Sequence, residues 1–379
     1  MPACLTKLAA CVLCLLLLVG CAGAEALPGH DALQQQIDAI CQRYGAAGVS
    51  AAYFRDGRVV DTFSWGYATR FSDPMTADTK VRLASISKVM VGLAVHLSVE
   101  RGAMALDDPL DELLGFRIRT LNREDVISAR SILTHTSSIA LNPMASGFYD
   151  DVWGILTSPG CTEAFASGNL RHWAYNNFAF YVLGLATELA NGQTMDEILN
   201  AGLCAALDID ASFWGGDLQH PEDIATIYNS DRAVGLSWEQ QAAVHTRGPG
   251  ANGAVFAGNY HISARDLGKI FAVLAADGRY DGKQVLSARV IEALEQYEDR
   301  TVPDMPFYQA QPLRYRPEMY GRSGLFYHTG SAYGEYNFAS YDPEAGDGVV
   351  VLSTGASGTG RYGIYAVCSD IAELLYDLP

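Results

Sequence analysis

A serine and a lysine three residues apart begin an apolar helical segment of the chain. Ser85 and Lys88 belong to the run Arg-Leu-Ala-Ser-Ile-Ser-Lys, which the apolar residues 89–99 follow. A hydroxyl at a helix start lies near free backbone N–H groups and the positive end of the helix dipole, which favour a developing oxyanion. A lysine one turn later lies over the same face, and a partly buried amine with a lowered pKa can take the hydroxyl proton. The spacing therefore suggests a nucleophilic serine. Taken alone, it fits better an N-cap serine beside a solvated lysine.

Two further motifs change that balance. Tyr175 to Asn177 directly precede an apolar helix predicted over 178–190, so a phenol and a carboxamide lie at a loop-to-helix junction. His328 to Ser331 follow the strand-like residues 325–327, which places an imidazole, a hydroxyl and free backbone amides at a sheet edge. Each motif alone is common in turns or by chance, but together they describe a site for nucleophilic catalysis.

In this order the three motifs resemble those of the serine β-lactamases and penicillin-binding DD-peptidases, particularly the branch with class C β-lactamases, an actinomycete-type DD-carboxypeptidase and related esterases. That family carries Ser-x-x-Lys, then Tyr-x-Asn, then Lys- or His-Thr-Gly on a strand. The resemblance extends to residues 132–138, to residues 263–267 and to the strand-rich C-terminal part, so that it covers nearly the whole mature chain.

The resemblance implies catalytic roles for three side chains. Ser85 would attack the carbonyl of a β-lactam, peptide or ester to give an acyl-enzyme that water then hydrolyses. Lys88 and Tyr175 would share the proton traffic to and from Ser85 and the leaving group. The backbone N–H groups of Ser85 and Ser331 would form the oxyanion hole, where one donor is typically worth about 3 kcal/mol.

It also implies substrate-binding roles for the remaining motif residues. Asn177 would bond the substrate amide or Lys88, while His328 and Thr329, followed by Gly330, would bind the substrate carboxylate or polarise Tyr175. Two positions depart from typical class C enzymes, which have Lys at His328 and Gly at Ala84. Because a neutral imidazole attracts a carboxylate less than an ammonium does, efficient penicillin hydrolysis is not expected.

The surrounding elements predict how these residues are positioned. A helix over 31–44 and a hairpin of 48–54 with 59–67 begin the mature chain, and strands at 335–341 and 348–354 and a helix over 362–377 end it. Most segments between them are predicted to be helical, among them 195–207, which begins with a capping box of Thr194 and Glu197. We expect an α/β (α+β) fold of the β-lactamase type, in which an antiparallel sheet built from both termini is flanked by helices and an all-helical region is inserted. Residues 21–84 and 255–379 would form the sheet domain and residues 85–254 the helical domain, with the active site between them.

The N-terminal segment predicts export. Lys7 is followed by an apolar run over 8–19 that is too short to span a bilayer, which is typical of a signal peptide covering residues 1–20. Leu18 to Cys21 resemble a lipobox, which would make Cys21 the lipidated first residue and anchor the protein in the cell envelope. The alternative is ordinary cleavage near residues 22–24.

Composition limits the partners. A net charge of −17 leaves no general affinity for phosphate backbones, so nucleic acid is not expected as a partner. Four cysteines remain in the mature chain and permit two disulfides or four buried thiols, two alternatives that the sequence leaves open: Cys41, Cys161, Cys204 and Cys368. Neither a metal nor a cofactor is predicted. The motif Gly-x-Gly-x-x-Gly at 358–363 is interpreted as a turn, and His96 and His135 as packed or capping residues.

The sequence thus predicts an exported serine hydrolase that forms an acyl-enzyme with a β-lactam, a D-amino-acid peptide or another amide. One alternative is an esterase of the same fold, and another is a catalytically idle envelope protein that binds similar small molecules or peptides.

Overall fold

The computed structural model describes residues 27, 29–69, 73–140, 142–143 and 146–378. The predicted signal peptide and Cys21 therefore lie outside the described residues. No helix in the described ranges combines the length and the apolar character needed to cross a bilayer.

An antiparallel sheet of eight strands joins the two ends of the chain. Its strands are β1 Gly48–Arg55, β2 Arg58–Thr69, β3 Asp73–Pro74, β10 Tyr308–Gln309, β11 Arg314–Met319, β12 Arg322–Ala332, β13 Glu335–Asp342 and β14 Asp347–Thr354. Their spatial order is β10-β11-β12-β13-β14-β1-β2-β3, so that the first strand pairs with the last one, from Gly48 opposite Thr354 to Arg55 opposite Asp347. Short pairs elsewhere are β4 Lys80–Arg82 with β7 His261–Ser263, β5 Ile227–Tyr228 with β6 Val234–Leu236, and β8 Arg279–Tyr280 with β9 Lys283–Gln284.

Helices cover both faces of the sheet. The described helices are α1 His30–Arg43, α2 Ser87–Glu100, α3 Leu110–Leu114, α4 Ala129–Leu133, α5 Tyr149–Leu156, α6 Asn177–Asn191, α7 Met195–Leu199, α8 Ala205–Leu207, α9 Trp238–Ala242, α10 Ala264–Ala275, α11 Ala288–Glu295 and α12 Ala366–Tyr376. The terminal helices α1 and α12 share one apolar cluster with one sheet face. The other face, covered by α10, shares a larger cluster with α2 and α6, so the helical region and the sheet are joined by a continuous core.

The predicted fold class is confirmed, and most predicted elements lie within a few residues of their observed positions. Two predictions need correction. The last helix begins at Ala366 rather than near residue 362, because residues 361–363 form a 3₁₀ turn in which Tyr362 has a φ of 62°. The helix predicted over 195–207 is interrupted by a π-helical turn, Asn200–Cys204.

The four cysteines of the described chain are free and buried. Of the two alternatives that the sequence left open, the structure therefore contains the reduced one. The predicted capping box between Thr194 and Glu197 is present at the start of α7. At the start of α10, Ser263 accepts the hydrogen bond of the Asp266 N–H.

Candidate active site

Ser85 lies in a 3₁₀ turn, Ala84–Ile86, that leads directly into α2. Ala84 has a φ of 47°, a left-handed conformation that glycine adopts at lower cost, which gives a physical reason for the Gly of typical class C enzymes at this position. Strand β12 crosses over the turn so closely that a Cβ on Gly330 would lie 2.1 Å from the Leu83 carbonyl oxygen. The motif glycine is thus what allows strand and nucleophile to meet.

Lys88 is completely buried beneath Ser85. Its Nζ donates hydrogen bonds to Ser85 Oγ at 3.3 Å and to the Ala257 carbonyl at 2.6 Å. Burial lowers the pKa of the lysine, and the nearby Arg314 and Arg82 guanidinium groups act in the same direction against the attraction of Tyr175. A lysine held in this way can accept a proton from the adjacent hydroxyl.

Tyr175 covers the same amine. The Lys88 Nζ lies 5.0 Å from the Tyr175 ring centroid. The buried hydroxyl makes no hydrogen bond of standard geometry to a described residue, yet it lies close to Lys88 and Ser85. Burial alone would raise the pKa of this phenol, but Lys88, Ser85 and Arg314 together outweigh burial and lower the pKa. Each of the two groups thus favours the charged form of the other.

The loop before α6 holds Tyr175 in place. Asn176 caps the helix through its Oδ1, which accepts the Ala179 N–H at 2.9 Å, and its Nδ2 donates to the Ile139 carbonyl at 3.0 Å. The backbone N–H of Asn176 donates to His135 Nδ1 at 3.3 Å, and the His135 ring lies 4.4 Å from that of Tyr175. His135 is packed, as predicted, but its packing partner is the site tyrosine.

His328 is buried next to this pair rather than open to solvent. Its Nδ1 lies 2.7 Å from the Thr329 carbonyl, which can only accept, so Nδ1 carries the hydrogen and Nε2 is an acceptor. Burial, Arg314 and Lys88 hold the pKa of His328 well below its usual range. A neutral imidazole in this tautomer cannot donate from Nε2 to a carboxylate, and Nε2 has no hydrogen-bond partner among the residues that the structure describes.

The backbone of Ser331 faces away from β13. Tyr333 and Gly334 form a two-residue hairpin loop with φ values of 53° and 103°, closed by Ala332 opposite Glu335. In such a hairpin the closing pair exchanges both backbone hydrogen bonds, and the next pair exchanges none. The N–H of Ser331 is therefore directed out of the ladder, on the side where β11 pairing has ended at Arg314 opposite Tyr327.

Ser85 and Ser331 line one cleft of about 590 Å³. Asn177, the first residue of α6, also faces the cleft. The Lys88 amine donates its hydrogen bonds to Ser85 and Ala257 rather than to Asn177. Most of the remaining wall is apolar or aromatic, and its described residues include Tyr181, Trp214, Val244, Val255 and Tyr333. Of the eight motif positions, Ser85, Asn177 and Ser331 thus line the cleft. Lys88 and Tyr175 lie buried next to Ser85, and His328 is buried near Lys88. Thr329 and Gly330 lie between His328 and Ser331 on β12.

Two further groups of the site had no motif in the sequence. The Arg314 guanidinium lies 5.9 Å from the Tyr175 ring centroid and 4.8 Å from that of Phe307. The Ala257 carbonyl reaches Lys88 because its segment, Ala254–Ala257, packs on α6, where a Cβ on Gly184 would lie 1.9 Å from Phe256. The sequence signal for Arg314 was an arginine fourteen residues before the His-Thr-Gly motif. The Ala257 carbonyl has no sequence signal, because every residue has a backbone carbonyl.

Comparisons with known proteins agree with the family resemblance and with the fold. Esterase EstB of Burkholderia gladioli is 32% identical over 201 residues, 48% of this chain, and the match spans half of that esterase. Penicillin-binding protein 4 of Amycolatopsis lactamdurans is 23% identical over 340 residues, 87% of this chain and 86% of that protein. The β-lactamase/D-alanine carboxypeptidase structure from Pseudomonas syringae superposes with a TM-score of 0.73 at 17% identity, covering 92% of this chain and 99% of that one.

A sequence model of the β-lactamase family matches residues 32–367, which is most of the chain. The matched range contains Ser85, Lys88, Tyr175 and the strand motif that begins at His328. The resemblance expected from the motifs is thereby confirmed, and the chain belongs to the β-lactamase family.

Proposed function

We propose that the protein is a serine hydrolase that cleaves acyl esters through an acyl-enzyme on Ser85. The observation that carries the proposal is the fully buried Lys88 amine, 3.3 Å from the Ser85 hydroxyl and in contact with Tyr175. Desolvation disfavours the charged amine, so the coupled Lys88 and Tyr175 pair can accept the hydroxyl proton as the Ser85 oxygen attacks.

The remaining steps follow from the same groups. The carbonyl oxygen becomes an oxyanion between the N–H groups of Ser85 and Ser331. As the intermediate collapses, the bond to the leaving oxygen breaks, and that oxygen receives the proton held by the pair. A water molecule then attacks the ester of Ser85, gives up a proton to the same pair, and releases the acid and the free hydroxyl.

The cleft favours a neutral acyl group over a penicillin. Arg82 carries the one charged side chain among the described residues that line the cleft, and the buried Glu335 pairs with it. His328 is neutral and buried, and its Nε2 is an acceptor, so it offers no positive charge to a substrate carboxylate. Aromatic and aliphatic walls suit an apolar acyl chain, whose burial contributes about 25 cal/mol per Å².

Hydrolysis of small D-amino-acid amides or peptides is the second candidate. The side chains of Asn177 and Asn252 both face the cleft, and a carboxamide pairs well with a peptide bond. An activity on cell-wall peptides would also suit an exported, lipid-anchored protein.

We propose that residues 1–21 direct export and lipid anchoring. Loss of lipid labelling in a Cys21→Ser variant is the test of this proposal.

Three probes separate the activities. Purified protein and its Ser85→Ala variant are incubated with 4-nitrophenyl esters of increasing acyl length, a fluorescent penicillin and a D-alanyl amide. Ester turnover that needs Ser85, with little penicillin turnover, supports the proposal. Stable penicillin labelling with amide cleavage favours the peptidase, and rapid penicillin turnover the β-lactamase. If no probe reacts in a Ser85-dependent way, the protein is the idle binder and the proposal fails.

A further inference from the structure

A buried ion pair links the segment of the nucleophile to the hairpin of the second oxyanion donor. Arg82 ends β4, three residues before Ser85, and its Nη1 donates to Glu335 Oε1. Glu335 opens β13 and closes the hairpin opposite Ala332. The guanidinium is fixed from a second side, because its Nε donates to Asn259 Oδ1 at 2.9 Å.

The burial of the Glu335 carboxyl group costs stability. The residue has no exposed surface, and its Oε2 has no hydrogen-bond partner among the residues that the structure describes. Burial raises the pKa of this carboxyl to about 8, although Arg82 acts in the opposite direction. An apolar side chain of similar volume would fill the space without leaving an unsatisfied oxygen. Such an apolar side chain would not reproduce the directional hydrogen bond between residue 335 and Arg82.

A second bond joins the same two segments. Asn337, two residues after Glu335 and on the same face of β13, donates from Nδ2 to the Arg82 carbonyl at 2.9 Å. Its Oδ1 accepts the Ser353 N–H at 3.1 Å, which anchors it to β14. Backbone and side chain of Arg82 are thus both held by β13, and Ser331 pairs with Tyr336, the residue between these two anchors.

We propose that the Arg82–Glu335 pair is a positioning device that sets the separation of the Ser85 and Ser331 amides. The proposal rests on the proposed function, in which these two amides bind the oxyanion. Each amide is three or four residues from one member of the pair, so a shift of either partner is passed directly to a donor. Misplacing a catalytic group by about 1 Å costs on the order of 100-fold in rate.

The role is one of geometry rather than of charge. A glutamine at 335 retains an oxygen that accepts from Arg82. We therefore expect Glu335→Gln to keep kcat within about 3-fold, and Glu335→Ala to lower kcat by about 10- to 100-fold with KM within about 3-fold, as for a weakened oxyanion donor. The affinity for a boronic acid that forms a tetrahedral adduct with Ser85 should fall by the same factor as kcat.

Two further variants keep this test decisive. Arg82→Met with Glu335→Leu replaces the ion pair by apolar side chains, which typically preserves stability. Its kcat should fall as in Glu335→Ala while its thermal midpoint stays near that of the parent. Glu295→Ala removes a half-buried carboxylate that accepts a hydrogen bond from Tyr341 outside the cleft, and it should keep kcat.

The outcomes are distinct from those of the proposed function. If Ser85→Ala abolishes ester hydrolysis while a folded Arg82→Met, Glu335→Leu variant keeps the parental kcat, the positioning role is overturned. If that double variant does not fold, the contrast between Glu335→Gln and Glu335→Ala decides. Equal losses of kcat in those two would overturn the proposal as well, and retained hydrolysis in Ser85→Ala would instead remove the proposed function.

Discussion

At the scale of single residues, the proposed acylation depends on how protons are shared between Lys88 and Tyr175. Burial drives the pKa of Lys88 down, and the cations around Tyr175 drive the pKa of the phenol down as well. The pair must accept one proton from Ser85, so activity is lost as pH falls and the pair becomes fully protonated. The apparent pKa of that loss belongs to the pair and not to either residue.

Lys88→Met removes the amine that contacts Ser85 while keeping an unbranched side chain of similar length. Acylation of Ser85 should fall by about 10³-fold or more, because general-base assistance and electrostatic support are lost together. Burst kinetics with a 4-nitrophenyl ester measure this step, and Ser85→Ala gives the background. A near-parental acylation rate would remove Lys88 from the mechanism.

Arg314→Gln tests the charge behind Tyr175. Arg314 lowers the pKa of Lys88 and of Tyr175, so its removal raises both, and the acidic limb of kcat/KM should move to higher pH by about 1 unit. Arg314→Lys, which keeps the charge, should restore the profile. Arg316→Gln on the same strand is the matched control, since its guanidinium lies over Tyr362 instead. An unchanged limb in Arg314→Gln would contradict the assignment.

At the scale of elements, the turn before α2 holds a strained backbone position directly before Ser85. Ala84 has a left-handed φ, a conformation that costs a residue with a Cβ about 1–2 kcal/mol. Glycine would avoid this cost, but part of the gain would be lost because glycine makes the unfolded chain more flexible. The same turn packs against β12 at Gly330, so the strain is held between two elements that meet at the nucleophile.

Ala84→Gly should therefore raise the free energy of unfolding by up to about 1 kcal/mol, measured by urea denaturation. Ala94→Gly makes the same chemical change inside α2, where it should lower that free energy by about 1 kcal/mol. Effects of the same sign in both variants would show that the φ of residue 84 is not the cause.

The sequence predicts elements and motifs better than it predicts contacts between distant segments. Ser85 and Lys88 could be related from the sequence because a helical turn sets their distance. Arg314 could not be placed near Tyr175, because that contact depends on the register of β11 against β12 and on the loop before α6. The role of Ala257 is invisible for another reason, since every residue type offers the same carbonyl.

At the scale of the whole molecule, buried and half-buried carboxyl groups give stability a pH dependence. Burial raises the pKa of four of them, to about 6 for Asp196, about 7 for Glu188 and Glu295, and about 8 for Glu335. A raised native pKa contributes stability below the unfolded value, near 4, and that contribution is lost as pH rises through the native value. The lowered pKa of the buried Lys88 changes stability with pH in the opposite direction, but it is one group against four carboxyl groups.

Buried histidines set the other limit. Burial lowers the pKa of His96 to about 4 and of His261 to about 3, so their contribution is lost as pH falls below the unfolded value near 6.5. The thermal midpoint should therefore be highest near pH 6 and fall by several degrees toward pH 8, measured by calorimetry. Glu188→Gln should flatten the decline above pH 6, and an unchanged slope in that variant would contradict the assignment for Glu188.

The free thiols described in the fold have a practical consequence. Burial raises the pKa of Cys41 and Cys368 to about 12 and that of Cys204 to about 11, and a protonated, inaccessible sulfur reacts slowly with alkylating agents. Cys41 belongs to the apolar cluster of the terminal helices, and Cys204 to the one shared with the helical region. The rate of alkylation at each sulfur, followed by peptide mass spectrometry, thus measures how often the apolar cluster around that cysteine opens.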